Sequence, residues 1–187
     1  MTVMCGMRVY DRRRRCLLAA MIVTAMPALV TRPANAASLS AKDLQVLGRA
    51  VAFLQPPPAS GGVLGIAYLA GNPASLADAE AIAALIGGGL RVGNGTLRPK
   101  LVEVGSLAAA DCTVVIAASG ANGSALSIAS RDAHALCVTT ELAAVEAGLC
   151  AMGLKSEPRV EILLNHAAVA ATGIEFATAF RMMIHEI

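Results

Sequence analysis

The stretch VLGIAYLAG, residues 63–71, decides the fold that the sequence predicts. It is almost continuously apolar and is bounded by glycines, which is typical of a strand buried on both faces. Two further runs have the same character, CTVVIAAS (112–119) and ALCVTT (135–140), and LRPKLVEVG (97–105) reads as another strand. Strands without a polar face need cover on both sides, so we expect a parallel sheet inside a layered α/β domain.

Helical patterns separate these strands. AKDLQVLGRAVAFLQ (41–55) repeats apolar residues at steps of three and four, namely Leu44, Leu47, Val51 and Leu54, and the prolines that follow stop the helix. The next helix, within residues 72–89, is expected to begin with a capping box of Ser75 and Asp78 and to end at its three glycines. Short helices follow at 122–132 and 141–148. The alternation predicts a single-domain three-layer α/β sandwich with a mixed, mainly parallel sheet and helices on both faces.

The C-terminal part predicts an antiparallel hairpin followed by helix. LCAMGLK (149–155) and RVEILLN (159–165) are two strands joined by SEP. The residues after 165 are expected to be helical, with a break at Gly173 that leaves a short helix and a longer one. The buried stripe of this segment would be formed by Phe176, Phe180, Met183 and Ile187.

The strand within 159–165 has two different faces. With a period of two, Val160, Ile162 and Leu164 point one way, and Arg159, Glu161, Leu163 and Asn165 point the other. Arg159 and Glu161 are spaced to pair with each other, and Asn165 is placed to cap the next helix. We therefore take Arg159, Glu161 and Asn165 as a candidate partner or ligand surface. The alternative is a solvated face of an edge strand.

The first 36 residues are predicted to be a signal peptide. DRRRRC (11–16) is a basic region, LLAAMIVTAMPALV (17–30) is an apolar region, and ANA (34–36) is a small-x-small cleavage site. The apolar run is shorter than the roughly 20 residues of a membrane span, so we expect cleavage near Ala36 and no stable membrane insertion afterwards. A retained anchor is the alternative. Cleavage would leave the domain at 37–187 as an exported protein.

The exported domain is acidic. Residues 37–187 contain nine Lys and Arg against 12 Asp and Glu, a net charge of −3. The chain has no basic cluster beyond the signal, no Trp, and few other aromatic residues on which bases could stack. The composition therefore argues against nucleic-acid binding.

Export implies an oxidising compartment for the three cysteines of the domain, Cys112, Cys137 and Cys150. Cys137 and Cys150 lie near the starts of two strands that we expect to be neighbours, and a disulfide between them is the favoured interpretation. Cys112 would remain a buried thiol. A metal site formed by His134, Cys137, Cys150 and His166 is the weaker alternative, because no second paired motif completes four ligands.

Two further motifs are better explained as structural features than as a phosphate-binding loop and a catalytic serine. GGGLRVGNG (87–95) has the glycines of a phosphate loop, but it follows a helix and lacks the Lys-Ser/Thr pair, so we interpret it as a helix stop plus a turn. Ser119 lies just past a strand, but no glycine precedes it to close a nucleophile elbow. We therefore expect no catalytic residue, no cofactor and no metal.

The order of the motifs resembles that of the YfiR family of exported proteins, across nearly all of residues 41–187. The strand RVEILLN (159–165) followed by a small-residue helix and a glycine is the most specific piece, and CTVVIAAS after a short Ala-rich helix is the second. The first helix followed by prolines, the strand ending in AGNP, and ALCVTT complete the order. This resemblance implies a periplasmic, non-enzymatic negative regulator that binds the periplasmic sensor domain of an inner-membrane diguanylate cyclase. Binding would lower cyclic-di-GMP and biofilm formation.

The resemblance also implies disulfide stabilisation and a homodimer. Two departures matter. Ala67 and Tyr68 stand where relatives often carry a cysteine able to pair with the one matching Cys112, and Gln55-Pro56 replaces a common Trp-Pro. A periplasmic small-molecule binding protein is the alternative function, although the chain is short for a two-lobed one.

Overall fold

The computed structural model describes residues 38–187. The chain divides into the units Met1–Pro33 and Ala34–Ile187, and the described residues belong to the second. The predicted signal peptide, residues 1–36, lies outside them.

Ten strands and six α-helices follow one another along the described residues. The strands are β1 (Leu54–Gln55), β2 (Val63–Tyr68), β3 (Leu90–Val92), β4 (Gly95–Glu103), β5 (Cys112–Ala117), β6 (Leu136–Thr139), β7 (Met152–Lys155), β8 (Glu161–Leu164), β9 (Glu175–Phe176) and β10 (His185–Glu186). The α-helices are α1 (Ala41–Val51), α2 (Pro73–Ile86), α3 (Ser124–Asp132), α4 (Leu142–Glu146), α5 (His166–Thr172) and α6 (Thr178–Arg181). A 3-10 helix, Val104–Ala109, precedes β5.

Eight of the strands form one mixed, mainly parallel sheet in the order β10-β8-β7-β6-β5-β2-β4-β3. The central strands from β4 to β7 run parallel, whereas β7 and β8 form the expected antiparallel hairpin and β3 pairs antiparallel with β4. A separate two-stranded sheet joins β1 to β9. The predicted α/β class, with a mainly parallel sheet and a late hairpin, is confirmed.

Two buried clusters lie on the two faces of the sheet. The first contains apolar side chains of α1 and α2, such as Leu47 and Ile82, together with Phe176 and Phe180 from the C-terminal segment. The second contains side chains of the 3-10 helix, α3 and α4, including Leu107 and Leu126. The central strands are buried on both sides because each contributes to both clusters.

The predicted first helix ends earlier than the periodicity suggests. It stops at Val51, and Leu54 belongs to β1, where it is opposite Phe176. All four residues of the predicted stripe are nevertheless buried. The apolar pattern was therefore right about burial and wrong about the last turn.

The predicted capping box at the start of α2 is wrong. Pro73 occupies the first turn, so the cap is Asn72, whose side-chain oxygen accepts the N–H groups of Ala74 and Ser75. The Ser75 hydroxyl instead accepts the N–H of Leu69. Asp78 is buried and bonds to distant segments, as described below.

The glycine-rich stretch at 87–95 contains a strand that the sequence did not predict. Gly87 ends α2 with a positive φ of 61°, as expected. β3 then begins at Leu90, and a two-residue connection, Gly93-Asn94, returns the chain into β4. The predicted turn corresponds to the connection Gly93-Asn94, whereas strand β3 before it was not predicted.

The C-terminal segment is not the predicted long helix. Asn165 caps α5, and Gly173 ends it with a left-handed φ of 72°, both as expected. The chain then forms β9, the single turn α6 and β10. Phe176 and Phe180 are buried, whereas Met183 and Ile187 are exposed, so the predicted stripe fails in its second half.

Two buried carboxylates, Asp43 and Asp78, connect the first described residues to the ends of strands in the sheet by hydrogen bonds. Asp78 accepts the N–H and hydroxyl of Ser38 at 2.7 and 2.8 Å, and the N–H of Ser119 at 2.7 Å. Asp43 accepts the N–H and hydroxyl of Ser40 in a capping box, and the N–H of Ser156 at 2.8 Å. Asp43 thereby joins the start of α1 to the connection between β7 and β8.

Burial by itself raises the pKa of Asp43, but the hydrogen bonds from Ser40 and Ser156 outweigh it, and the pKa lies below its ordinary value. A carboxyl group whose pKa is lower in the folded state stabilises the fold above its unfolded pKa, about 4. That stabilisation is lost as the pH falls through the lowered value.

We expect Asp43→Asn to lower the free energy of unfolding at pH 7 by about 1–3 kcal/mol, because it removes a charged acceptor from buried donors. The difference from the wild type should shrink at pH 3. Urea unfolding followed by circular dichroism at both pH values measures it, with Glu80→Gln on the exposed side of α2 as the control. An equal difference at pH 7 and pH 3 would contradict the role given to the ionised carboxylate.

Candidate functional site

Arg159 and Glu161 lie at one end of the β7–β8 hairpin, beside the edge strand β10. They line a shallow depression of about 390 Å³ together with Val160, Ile162 and residues 183–185. Val160 was predicted to share one face of the strand with Ile162 and Leu164, but the strand begins only at Glu161, and Val160 is 54% exposed. The depression therefore exposes an apolar side chain, Val160, beside the two charged ones. We call the residues that line it the β8–β10 surface.

The predicted Arg159–Glu161 ion pair does not form among residues 38–187. Glu161 is instead opposite Lys155 in the hairpin register. Two residues further along the same face, Leu163 is buried in the second core cluster. The exposed part of this strand is thus confined to its beginning, since Glu161 is exposed and Leu163 and Leu164 are buried.

Asn165 lies apart from this surface. Its side-chain oxygen accepts the N–H of Ala168, which caps α5, and its Nδ2 donates to the carbonyl oxygen of Val145 at 2.9 Å. It borders a second cavity, of about 380 Å³, next to Cys137 and Cys150. The structure therefore groups Arg159 with Glu161 and gives Asn165 a structural role between α4 and α5.

The C-terminal segment supplies the other wall of the β8–β10 surface. Strand β10 pairs in parallel with β8, and Glu186 accepts two hydrogen bonds from the Arg181 guanidinium, at 2.7 and 3.1 Å. His166 Nδ1 lies 2.9 Å from the same carboxylate. The hydrogen bond from Arg181 lowers the pKa of Glu186. This cluster holds the segment in place while Met183 remains 67% exposed.

Cys137 and Cys150 form the predicted disulfide. Cys137 lies in β6, and Cys150 precedes β7, which is the neighbouring parallel strand. Their Cα atoms are 5.1 Å apart, within the ordinary range for a bridge. Cys112 is a buried free thiol, and burial raises its pKa.

The residues of the alternative metal site are engaged elsewhere. His134 Nδ1 lies 2.9 Å from the carbonyl oxygen of Thr172, and His166 contacts Glu186. In residues 38–187, no group of three or more His, Cys, Asp or Glu side chains is arranged to hold a metal ion. Ser119 donates its backbone N–H to Asp78, and none of the three histidines is hydrogen-bonded to it in that part of the chain.

A third concave surface was not predicted from the sequence. It is a groove of about 720 Å³ between α1, the end of α2 and β3, and it is mostly apolar. Its charged lining residues are Arg49 and Arg91, which are 42 positions apart and belong to no local motif. The strand that carries Arg91 was itself missed, so the sequence pattern offered no signal for this groove.

The fold and these surfaces define a disulfide-containing α/β sandwich with concave surfaces at two edges of its sheet. No family model matches the chain, and no curated protein matches it either. Within residues 38–187, none of the helices has both the length and the apolar character needed to cross a membrane.

Replacing both Cys137 and Cys150 by Ala should lower the free energy of unfolding by about 3 kcal/mol. The bridge joins residues 13 positions apart and so restricts the unfolded chain to a closed loop. Urea unfolding without reductant measures the change. Dithiothreitol should destabilise the wild type by a similar amount and leave the double variant unaffected. If reductant destabilised the double variant as well, the bridge would not be the source of the effect.

Proposed function

We propose that this protein is a periplasmic regulator that binds the sensor domain of an inner-membrane diguanylate cyclase and represses it. The order and spacing of the sequence motifs, from the helix at 41–51 to the strand and small-residue helix at 159–173, support this proposal. The disulfide supports export to an oxidising compartment. The homodimer implied by the same resemblance is part of the proposal.

The observation that carries the proposal is the exposure of apolar side chains on the β8–β10 surface. Val160 and Met183 are both more than half exposed and line one depression, and Met182, next in the chain, is 83% exposed. Exposed apolar side chains gathered in one place, with polar residues at the rim, mark interaction surfaces. Methionine is suited to such contacts because its unbranched side chain adapts to a partner's shape.

Charged groups border these apolar side chains in the manner of a protein interface. Arg159 and Glu161 line the same depression, and neither is paired with another side chain in residues 38–187. A surface that combines apolar side chains with unpaired charges suits a partner protein, because the charges give specificity while the apolar contacts supply binding energy. Repression then follows by mass action if this surface binds the inactive sensor conformation more tightly than the active one.

The small-molecule alternative is less well supported as the main function. A two-lobed binding protein closes on its ligand between two domains, whereas the described residues belong to one unit with one main sheet. The β8–β10 depression is shallow and lies at the edge of that sheet.

The double variant Val160→Glu, Met183→Glu should bind the cyclase sensor domain at least tenfold more weakly, because it replaces two exposed apolar side chains of the contact by charges. Binding of the purified proteins is measured by isothermal titration calorimetry, and cyclic-di-GMP is measured in cells that carry each variant. Ile128→Glu is the matched control, since Ile128 is also about half exposed but lies on α3.

Both purified variants should unfold at the same urea concentration as the wild type, since all three positions are exposed. Wild-type affinity in the double variant would exclude the β8–β10 surface as the contact. An unchanged cyclic-di-GMP level after deletion of the gene would exclude a cyclase as the partner.

A further inference from the structure

The groove between α1, α2 and β3 combines an apolar lining with charge of one sign. Its walls include Leu44, Phe53, Leu85 and Leu90, and it contains no acidic residue. Phe53 and Leu85 are among the large apolar side chains that remain exposed in the described residues. A volume of about 720 Å³ is that of a ligand site rather than of a packing defect.

The two arginines of this groove come from elements whose backbones touch. A Cβ atom at Gly48 would collide with the carbonyl oxygen of Arg91, so only glycine lets α1 lie directly on β3. Arg49 follows Gly48 in the helix, and Arg91 is itself the contact residue on the strand. The close approach therefore brings the Cα atoms of both arginines near each other, and both residues line the groove.

Neither arginine has a partner of its own. Among residues 38–187, the ion pairs are formed by Glu186 with Arg181 and His166, and neither Arg49 nor Arg91 takes part in one. Their side chains also donate no hydrogen bond to the described residues. Two unpaired cations facing apolar walls, in a domain of net charge −3, are complementary to an anion with an apolar body.

We propose that this groove binds a free single-chain amphiphile with an anionic head, such as a medium-chain fatty acid. The carboxylate is held by Arg49 and Arg91, and the chain lies on Phe53, Leu85 and Leu44. The N-terminal 36 residues do not suit the groove, because they carry six arginines and one aspartate and so have the same sign of charge. The site is separate from the partner surface proposed above, since β3 and β10 are opposite edges of the sheet.

Isothermal titration calorimetry of the exported protein with dodecanoate, below its micelle concentration, tests the proposal. Dodecanoate should bind, dodecyltrimethylammonium should not, and decanoate should bind more weakly, by up to about fourfold for each methylene lost. Failure of dodecanoate to bind, or equal binding of the cationic amphiphile, would overturn the proposal.

The double variant Arg49→Gln, Arg91→Gln should bind dodecanoate at least tenfold more weakly, because it removes both charge-assisted contacts. Arg98→Gln is the matched control, since Arg98 is an exposed arginine on β4 of the same sheet that does not line the groove, and its affinity should stay within twofold of the wild type. Leu85→Glu, an exposed wall position, should weaken binding by repelling the head group. Unchanged affinity in the double arginine variant would remove the site.

Two further measurements separate the free ligand from other occupants. Flotation with phosphatidylglycerol vesicles should show no binding, and binding that the double arginine variant abolishes would assign the groove to a bilayer instead. Light scattering should show that Leu85→Glu leaves the oligomeric state unchanged. A dimer that this variant dissociates would assign the groove to a second copy of the chain.

Discussion

The architecture depends on an alternation of side-chain size along the strands of the sheet. On β2, Leu64 and Ile66 face the cluster formed with α1 and α2, whereas Gly65 and Ala67 face the 3-10 helix, α3 and α4. The neighbouring strands continue the large face with Val114, Ile116, Leu136, Val138, Met152 and Leu154. They continue the other face with Val115, Ala117, Cys137 and Gly153. Both faces of these strands are apolar, so each face must be covered by a layer of helices.

The small face has consequences for the layer that covers it. A Cβ atom at Gly153 would lie 2.7 Å from a Leu142 methyl carbon, so α4 packs close to β7. A Cβ atom at Gly65 would lie 3.0 Å from Sγ of Cys112, which leaves that thiol enclosed. The disulfide of Cys137 belongs to the same layer. Close packing and one covalent bridge thus stabilise the side of the sheet that has the shorter helices.

How far the sequence predicts this fold depends on whether a signal is local. The buried strands, the hairpin, the Asn165 cap and the end of α5 at Gly173 were predicted because each is encoded by neighbouring residues. Strands β1, β9 and β10 have only two residues each and form by pairing with distant strands. Two residues are too few to show the apolar alternation of a strand. The stretch 174–187 has an apolar spacing that also fits a helix, and tertiary pairing overrode that preference.

The same distinction applies to the candidate sites. The disulfide could be predicted because strand order places Cys137 and Cys150 on adjacent parallel strands. Arg159 and Glu161 were proposed from the alternation of one strand, but the residues around them could not be predicted. Val160 lies just outside the strand, and Met183 comes from a segment that was predicted to be helical. The groove between α1, α2 and β3 was not predicted, because Gly48 and Arg91 come into contact only in the folded chain.

Helix α1 links the two surfaces physically. It supplies Leu44 and Arg49 to the groove, and its Asp43 carboxylate holds the N–H of Ser156, in the connection that leads to Arg159 and Val160. A ligand in the groove changes binding at the β8–β10 surface only if it favours one position of α1 over another. Hydrogen bonds at the N-terminal end of α1 limit such movement, since the N–H groups of Ser40 and Ser156 both donate to Asp43. One side chain, Asp43, is thus hydrogen-bonded both to the start of the helix that lines the groove and to the connection that leads to the β8–β10 surface.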